Sequence, residues 1–222
     1  MKFWGIAVLG LVGAAILISL GIWQVQRLAW KEAILRDMAT EFASPPVILP
    51  RLSELSEQED EYLPVTVTGR VTSTSVRVLV SQKIYGAGYR LIAAFDTGNE
   101  RILLDRGFVS VNDPLPKDPI DLGTVTGNLL WPDERDNWTP ANDLENNVWF
   151  ARDLDELAQH LDTLPLLLVR RGGDLHDPNI TPLPITTAAI PNDHLQYAVT
   201  WFSLALIWLG MTGYFLYRMA QR

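Results

Sequence analysis

The 222-residue chain contains no cysteine. This absence excludes disulfide bonds, thiolate metal sites, thiol redox catalysis and covalent haem attachment through a C-x-x-C-H motif. Any domain of this protein in an oxidising compartment must therefore be stabilised by its hydrophobic core alone, and the chain is long enough to form one.

Charged residues are absent near both ends of the chain, over residues 3–24 and 195–217. About 20 apolar helical residues cross a hydrocarbon core of roughly 30 Å, and a helix satisfies its own backbone hydrogen bonds there. The sequence therefore predicts transmembrane helices over residues 1–24 and 194–217. A cleaved signal peptide is the alternative for the first run, but that run is longer than a signal core and Trp23 is too bulky for a cleavage site.

Acidic residues are confined to the region between these helices, which holds all 26 of them and 15 of the 18 basic residues. Such a surface disfavours nucleic acid and anionic lipid as partners. Lys2, Arg218 and Arg222 are the only charges on the terminal sides, and basic residues tend to face the cytoplasm, so we expect both termini there. The basic residues that follow the first apolar segment argue for the opposite orientation, and they are Arg27, Lys31 and Arg36. Acidic residues are interleaved with these three, which weakens that argument.

Beyond the first membrane helix, apolar residues keep their helical spacing over residues 25–44 and predict a stalk helix that Pro45 and Pro46 end. The favoured interpretation is a helix with one face packed on the domain, and a partner-binding helix is the alternative. Four prolines predict an extended strap over residues 174–193, which leads into the second membrane helix. Residues 218–222 are a predicted cytoplasmic tail.

Residues 45–173 form a predicted β-rich domain, because the period of the apolar residues changes to two. Predicted strands cover residues 65–72, 76–81, 89–96, 101–111, 124–130, 148–152 and 166–170. One helix is predicted after Asp153, which caps it, with Glu156 as the reciprocal capping-box partner. The predicted fold class is an α+β membrane protein, in which a hairpin of two transmembrane helices flanks a mainly antiparallel β barrel or sandwich with one or two helices.

Catalytic motifs are lacking in this domain, which has no H-E-x-x-H, no G-x-S-x-G and no phosphate-binding loop. Asp105 and Arg106 are placed at a strand end, where a pair of opposite charges usually has a structural role, so we expect a structural charge pair. Residues 142–147 are rich in asparagine but lack the full spacing of a calcium loop, so they predict turns. We therefore expect a protein that is not an enzyme, and the absent motifs disfavour a membrane-anchored hydrolase.

The second membrane helix begins with a histidine, His194, and positions 194, 197, 198 and 201 share one face of a helix. A neutral imidazole can ligate haem iron, and the small Ala198 leaves room for a flat ring. Tyr197 and Trp201 can line a tetrapyrrole. The alternative is an interfacial histidine within a belt of aromatic residues.

A hairpin of the two helices would bring the end of the first and the start of the second into the same leaflet. Three residues from each helix would then lie close together: Trp23, Gln24 and Arg27 from the first, and His194, Gln196 and Tyr197 from the second. At headgroup depth the Arg27 guanidinium can hold a haem propionate, or it can extend to a lipid phosphate.

Four motifs occur in order over nearly the whole chain. They are G-I-W-Q-x-x-R-x-x-x-K from Gly21, G-Y from Gly88 with D-R-G-F-V from Asp105, W-F-A-R-D from Trp149, and N-D-H-L-Q-Y-A-x-T-W-F from Asn192. Together they resemble the Surfeit locus protein one (Surf-one) family, and the first and last motifs are the most specific.

This resemblance implies an assembly factor of bacterial type for haem-copper cytochrome c oxidase, which acts when haem a enters the large catalytic subunit. It implies haem a as the cofactor, with iron bound by the histidine that matches His194. The expected site around that ligand comprises Tyr197, Trp201, Arg27, Trp23, Gln24 and Gln196. Asp193 stands where the family has asparagine, and a carboxylate beside His194 would raise the basicity of the imidazole.

The resemblance also implies partners and a location. The expected partners are the large catalytic subunit of the oxidase, the enzyme that synthesises haem a, and the lipid bilayer. The expected location is the plasma (inner) membrane, with two spans, cytoplasmic termini and a periplasmic central domain. The alternative function is a membrane-anchored interaction scaffold, which binds an oxidase subunit through the β domain without binding haem.

Overall fold

The first proline of the chain is Pro45, and the segment before it forms one continuous helix, α1, over Lys2–Phe42. At 1.5 Å per residue, its 41 residues extend roughly 60 Å, about twice the thickness of a hydrocarbon core. A second long helix, α4, covers His194–Ala220. Both helices are long and apolar enough to cross a membrane, as the sequence predicts.

The computed structural model describes residues 2–72, 74–116 and 120–221. Contacts within the chain define two units. The helical unit consists of Met1–Ala39 and Thr187–Arg222, and the β unit consists of Thr40–Thr186.

Eight strands form a single sheet in the β unit, in the order β1-β2-β6-β8-β5-β4-β3-β7. Their bounds are β1 Val47–Ile48, β2 Pro64–Val71, β3 Val76–Gln82, β4 Gly86–Asp96, β5 Arg101–Ser110, β6 Ile120–Leu130, β7 Val148–Trp149 and β8 Leu167–Gly173. An additional pairing of β2 with β4 closes five strands into a barrel, through Arg70 opposite Asp96 and Val71 opposite Phe95.

Most neighbouring strands of the sheet are antiparallel, and β1–β2, β3–β7 and β5–β8 are the parallel pairs. The predicted α+β class with a mainly antiparallel barrel is therefore confirmed. The predicted strand over residues 148–152 is shorter than expected and ends at Trp149, because Asp153 already caps the next helix.

The core has two layers, because alternate residues of the central strands point to opposite sides of the barrel wall. Ile102 and Leu104 lie in the cluster inside the barrel, whereas Leu103 lies in the cluster outside it. The outer cluster is covered by helix α3, Leu154–Leu161. Burial on both sides explains the continuous apolar runs over residues 102–104 of β5 and 167–169 of β8.

At the start of α3 the predicted cap by Asp153 is confirmed, but the predicted reciprocal bond from Glu156 is not formed. The Asp153 carboxylate accepts a hydrogen bond from the backbone N–H of Glu156 at 3.1 Å, as predicted. The Glu156 carboxylate does not complete a capping box; it accepts hydrogen bonds from Arg135 at 3.1 Å and Asn142 at 2.7 Å. One further short helix, α2, covers Glu57–Asp60, and Ser56 caps it.

The chain after β8 is extended along the barrel within the β unit. Thr181 pairs with Phe108 through two backbone hydrogen bonds of 2.7 and 3.0 Å. Gly107 has φ +125°, and a side chain there would collide with the Thr181 carbonyl. Glycine is therefore needed where this segment crosses β5. In the helical unit, a single 3-10 turn over Thr187–Ala189 precedes α4.

Candidate functional site

The helical unit is an antiparallel hairpin of α1 and α4. Gly10 faces Thr212, and Gly21 faces Phe202, so that residue numbers rise along α1 as they fall along α4. A Cβ atom on Gly21 would lie only 2.6 Å from the Phe202 ring. The indole N–H of Trp208 donates a hydrogen bond to the Gly10 carbonyl at 2.9 Å. Small residues therefore allow the two backbones to approach closely, as is common between membrane helices.

The contact surface of the hairpin follows a heptad spacing. On α1 its buried members are Gly10, Ala14, Gly21 and Gln24, and on α4 they are Ala198 and Ala205. Steps of three, four and seven residues are typical of helices that cross at about +20° and wind around each other with a left-handed twist. We call this row of residues, with the half-buried His194 and Trp201 that continue it on α4, the seam.

Two polar side chains meet at one end of the seam. His194 Nδ1 lies 2.7 Å from the Gln24 side-chain oxygen, and Gln24 is only 8% exposed. Over the described ranges, no hydrogen-bond partner is found for His194 Nε2. One nitrogen of the imidazole is therefore engaged within the hairpin, and the other is available to an external group.

Arg27 and Tyr197 lie on the same flank of the hairpin. Arg27 follows Gln24 by three residues, and Tyr197 follows His194 by three residues. Three residues rotate the side-chain direction about a helix axis by roughly 300°, which is 60° short of a full turn. Because α1 and α4 run in opposite directions, this step moves both side chains toward the same side of the pair. Both are exposed, and the Arg27 guanidinium lies 4.1 Å from the centre of the Trp30 ring. The cation–π contact holds this charge at the helix surface.

The remaining predicted site residues are distributed differently. Trp201, seven residues after His194, lies back on the seam and is half-buried. Trp23 is exposed on α1, and Gln196 is exposed on α4, where two residues after His194 turn it away from the seam. The predicted shared face is thus made by positions 194, 198 and 201, and Tyr197 lies at its edge.

Asp193 does not engage the imidazole that follows it. Its side chain makes no capping hydrogen bond to α4, and His194 Nδ1 is paired with Gln24. Nearby, the Lys31 ammonium donates a hydrogen bond to the Pro191 carbonyl and ties the entrance of α4 to α1. Sequence reasoning did not assign a role to Lys31 or Trp30, although the Arg27–Trp30 spacing of three residues is a signal for a contact on a helix surface.

The chemistry of this donor set fits a haem better than a bare metal ion. Among the described residues, no group of three or more His, Cys, Asp or Glu side chains could hold a metal ion. A single imidazole is a weak site for a free ion, but the imidazole of His194 would suffice to hold a haem, because one protein side chain can ligate haem iron.

Asp105 and Arg106 are buried within β5 rather than at the end of a strand, and they do not pair with each other. The Asp105 carboxylate forms ion pairs with Arg90 and with Arg152, the latter at 3.6 Å. The Arg106 guanidinium makes a bidentate pair with Asp177 at 2.8 and 2.9 Å and donates to Ser75 at 2.7 Å. These contacts connect β5 to other segments of the barrel, as expected for structural charges.

Further charges complete these two networks. Arg170 lies 3.6 Å from the same Asp177 carboxylate. Burial lowers the pKa of Arg170 below its ordinary value, Asp177 opposes this shift, and the charge of Arg106 adds to it. Burial alone would raise the pKa of Glu134, but the hydrogen bonds and charge of Arg152 hold it below its usual range. The asparagine-rich segment forms a turn, in which Asp143 accepts hydrogen bonds from Asn146.

Comparison with known proteins gives a consistent result. The sequence profile of the SURF1 family matches residues 11–206, a range that includes both Gln24 and His194. The chain is 33% identical to a SURF1-like protein of Rickettsia felis, over 88% of this chain and 90% of that protein. It is 30% identical to a SURF1-like protein of Drosophila melanogaster, over 84% and 69% of the two chains, and 29% identical to Surfeit locus protein 1 of Xenopus tropicalis, over 84% and 67%.

Proposed function

The chain belongs to the SURF1 family, and from this premise we propose that it is a membrane-bound assembly factor for haem-copper cytochrome c oxidase. In this proposal it binds haem a at the hairpin and assists its insertion into the large catalytic subunit, after receiving it from the enzyme that synthesises haem a. The observation that carries the proposal is the imidazole of His194, which is held through Nδ1 on the seam and has Nε2 available.

The residues around His194 have distinct roles in this proposal. His194 would hold the iron through Nε2, and Ala198 leaves space beside it. Arg27, on the same flank as Tyr197, would pair with a propionate, since a guanidinium matches a carboxylate in geometry and charge. Tyr197, Trp23 and Trp201 would provide apolar contacts for the macrocycle. We assign no contact to Gln196, because it is turned away from the seam. Bound haem would supply the iron that His194 ligates. In this proposal the chain carries the haem and catalyses no reaction of its own.

The test of haem binding is an absorption spectrum of the full chain, purified in detergent from cells that make haem a. We expect haem bands in the wild type and a loss of at least about tenfold in His194→Ala, because the iron loses its protein ligand. His160→Ala and His176→Ala are matched controls, since both residues are exposed in the β unit, and they should retain haem. Equal haem content in wild type and His194→Ala would refute the site.

A second candidate function is the scaffold that binds an oxidase subunit without haem. The large aromatic side chain of Trp138 favours it, because it is 90% exposed on the β unit. Tryptophan is enriched in protein interfaces relative to the rest of the protein surface. Normal oxidase haem content in a His194→Ala strain, with loss of oxidase in a Trp138→Ser strain, would favour the scaffold over the haem carrier.

A further inference from the structure

We infer that Gln24 is a positioning residue, which accepts a hydrogen bond from His194 Nδ1–H and so keeps the Nε2 lone pair free for iron. That the group bound by His194 is a haem rests on the proposed function. The hydrogen bond and the tautomer that it selects belong to the ligand-free protein and are tested there.

The direction of the hydrogen bond determines the chemistry. The Gln24 atom that faces the imidazole is the side-chain oxygen, at 2.7 Å from Nδ1, and a carbonyl oxygen can only accept. A neutral imidazole carries one N–H, so a proton on Nδ1 leaves Nε2 as the nitrogen with a lone pair. The same amide turned over would donate to Nδ1 and place the proton on Nε2, where it would block iron.

The buried position of Gln24 indicates that its side-chain amide is needed for the hydrogen bond to His194 and not for packing alone. In the described parts of α1 and α4, it is the one buried residue with a polar side chain, and its neighbours on the seam are glycine and alanine. An amide buried in an apolar surrounding is destabilising unless it is hydrogen-bonded, and polar residues within membrane helices usually mark a functional contact. An apolar residue would fill this position at lower cost if packing were its only role.

A neutral partner also suits an iron ligand better than a charged one would. A carboxylate beside Nδ1 would favour the imidazolium form, in which neither nitrogen has a lone pair. The Gln24 amide fixes the orientation of the ring without adding charge, and Asp193 makes no bond to the ring. Histidines that bind a metal through one ring nitrogen generally donate the N–H of the other ring nitrogen to a neighbouring oxygen in this way.

The first test is 15N NMR of the ligand-free full chain in lipid or detergent. The chain has three histidines, and changing the exposed His160 and His176 to Gln leaves His194 as the sole imidazole signal. We expect the Nδ1–H tautomer in this background and a loss of its dominance in Gln24→Leu. Gln26→Leu, a change at an exposed position two residues away, is the matched control. An Nε2–H tautomer, or a tautomer unchanged by Gln24→Leu, overturns the inference.

The second test measures haem a affinity of the same variants by titration. Loss of such an orienting partner typically weakens metal binding about 10- to 100-fold, and we expect a change of this size in Gln24→Leu and none in Gln26→Leu. If the tautomer depends on Gln24 but no variant, including the wild type, binds haem, then the proposed function fails and the positioning role stands. If haem binds equally well to wild type and Gln24→Leu, the positioning role fails and the proposed function stands.

Discussion

Neighbouring residues in one strand can serve different parts of the structure, as Asp105 and Arg106 do. β5 contains an irregularity at Arg106, because Asp105 opposes Ile92 and Gly107 opposes the adjacent Leu91. Arg106 is therefore an extra residue in the ladder, and such a bulge re-aims a side chain. Its guanidinium reaches Asp177, 71 residues away. The sequence identified both charges as structural, but a pattern of adjacent residues could not specify either partner.

The Asp177 carboxylate is shared by two buried guanidinium groups, of Arg106 and Arg170. Asp177→Asn keeps the shape of the side chain but removes the buried negative charge that both guanidinium groups contact. We expect the free energy of unfolding to fall by about 3–5 kcal/mol. Urea denaturation of the detergent-solubilised full chain measures this, with Asp121→Asn on an exposed part of β6 as the control. Equal midpoints for the two variants would show that the buried network is not stabilising.

The hairpin depends on small residues at the helix–helix contact, which is a property of the two elements together. The Trp208 indole donates to the Gly10 carbonyl, and a side chain on Gly10 would overlap Thr212. The sequence predicted both helices from composition and length. It predicted which ends of the two helices lie close together but not the register residue by residue, because glycine, alanine and leucine are compatible with many alignments of two apolar helices.

Gly10→Leu should push the two helices apart. Overpacking of this kind costs about 1–3 kcal/mol, which corresponds to a change of at least about fivefold in association. Gly13 lies against Trp208 and Gly21 against Phe202, so position 17 of α1 comes opposite position 205 of α4. Because the native chain lacks cysteine, Leu17→Cys with Ala205→Cys provides a specific reporter, and we expect slower disulfide formation in the Gly10→Leu background. A side chain at Gly5 would meet nothing within 4 Å, so Gly5→Leu is the control. Equal cross-linking rates in both backgrounds would contradict the close approach.

At the scale of the whole molecule, the two candidate membrane helices lie near the two ends of the chain and the barrel lies between them in sequence. If both helices cross a membrane, they place both termini on one side of it. The basic residues near the termini favour the cytoplasmic side for them, and the long acidic segment would then cross to the periplasm.

This orientation can be measured by labelling single cysteines in the otherwise cysteine-free chain. Trp138→Cys introduces a thiol at a highly exposed position of the β unit, and Gln221→Cys introduces one after α4. In intact spheroplasts, we expect a membrane-impermeant maleimide to label position 138 at once and position 221 only after lysis. The reverse pattern would invert the topology, and labelling of both positions would exclude two full spans.

Two apolar helices, an acidic β domain with strands close to those observed, the cap of α3 and the family of the chain could all be predicted from the amino-acid sequence. These features depend on composition, local periodicity and short motifs, which a linear chain contains in full. The folded structure was needed to show that Gln24 contacts His194 across 170 positions, that Tyr197 lies beside the seam, and that β2 pairs with β4 to close the barrel. Such contacts depend on helix register and strand pairing, and many alignments of the same local elements satisfy the local pattern until packing and buried polar groups select one.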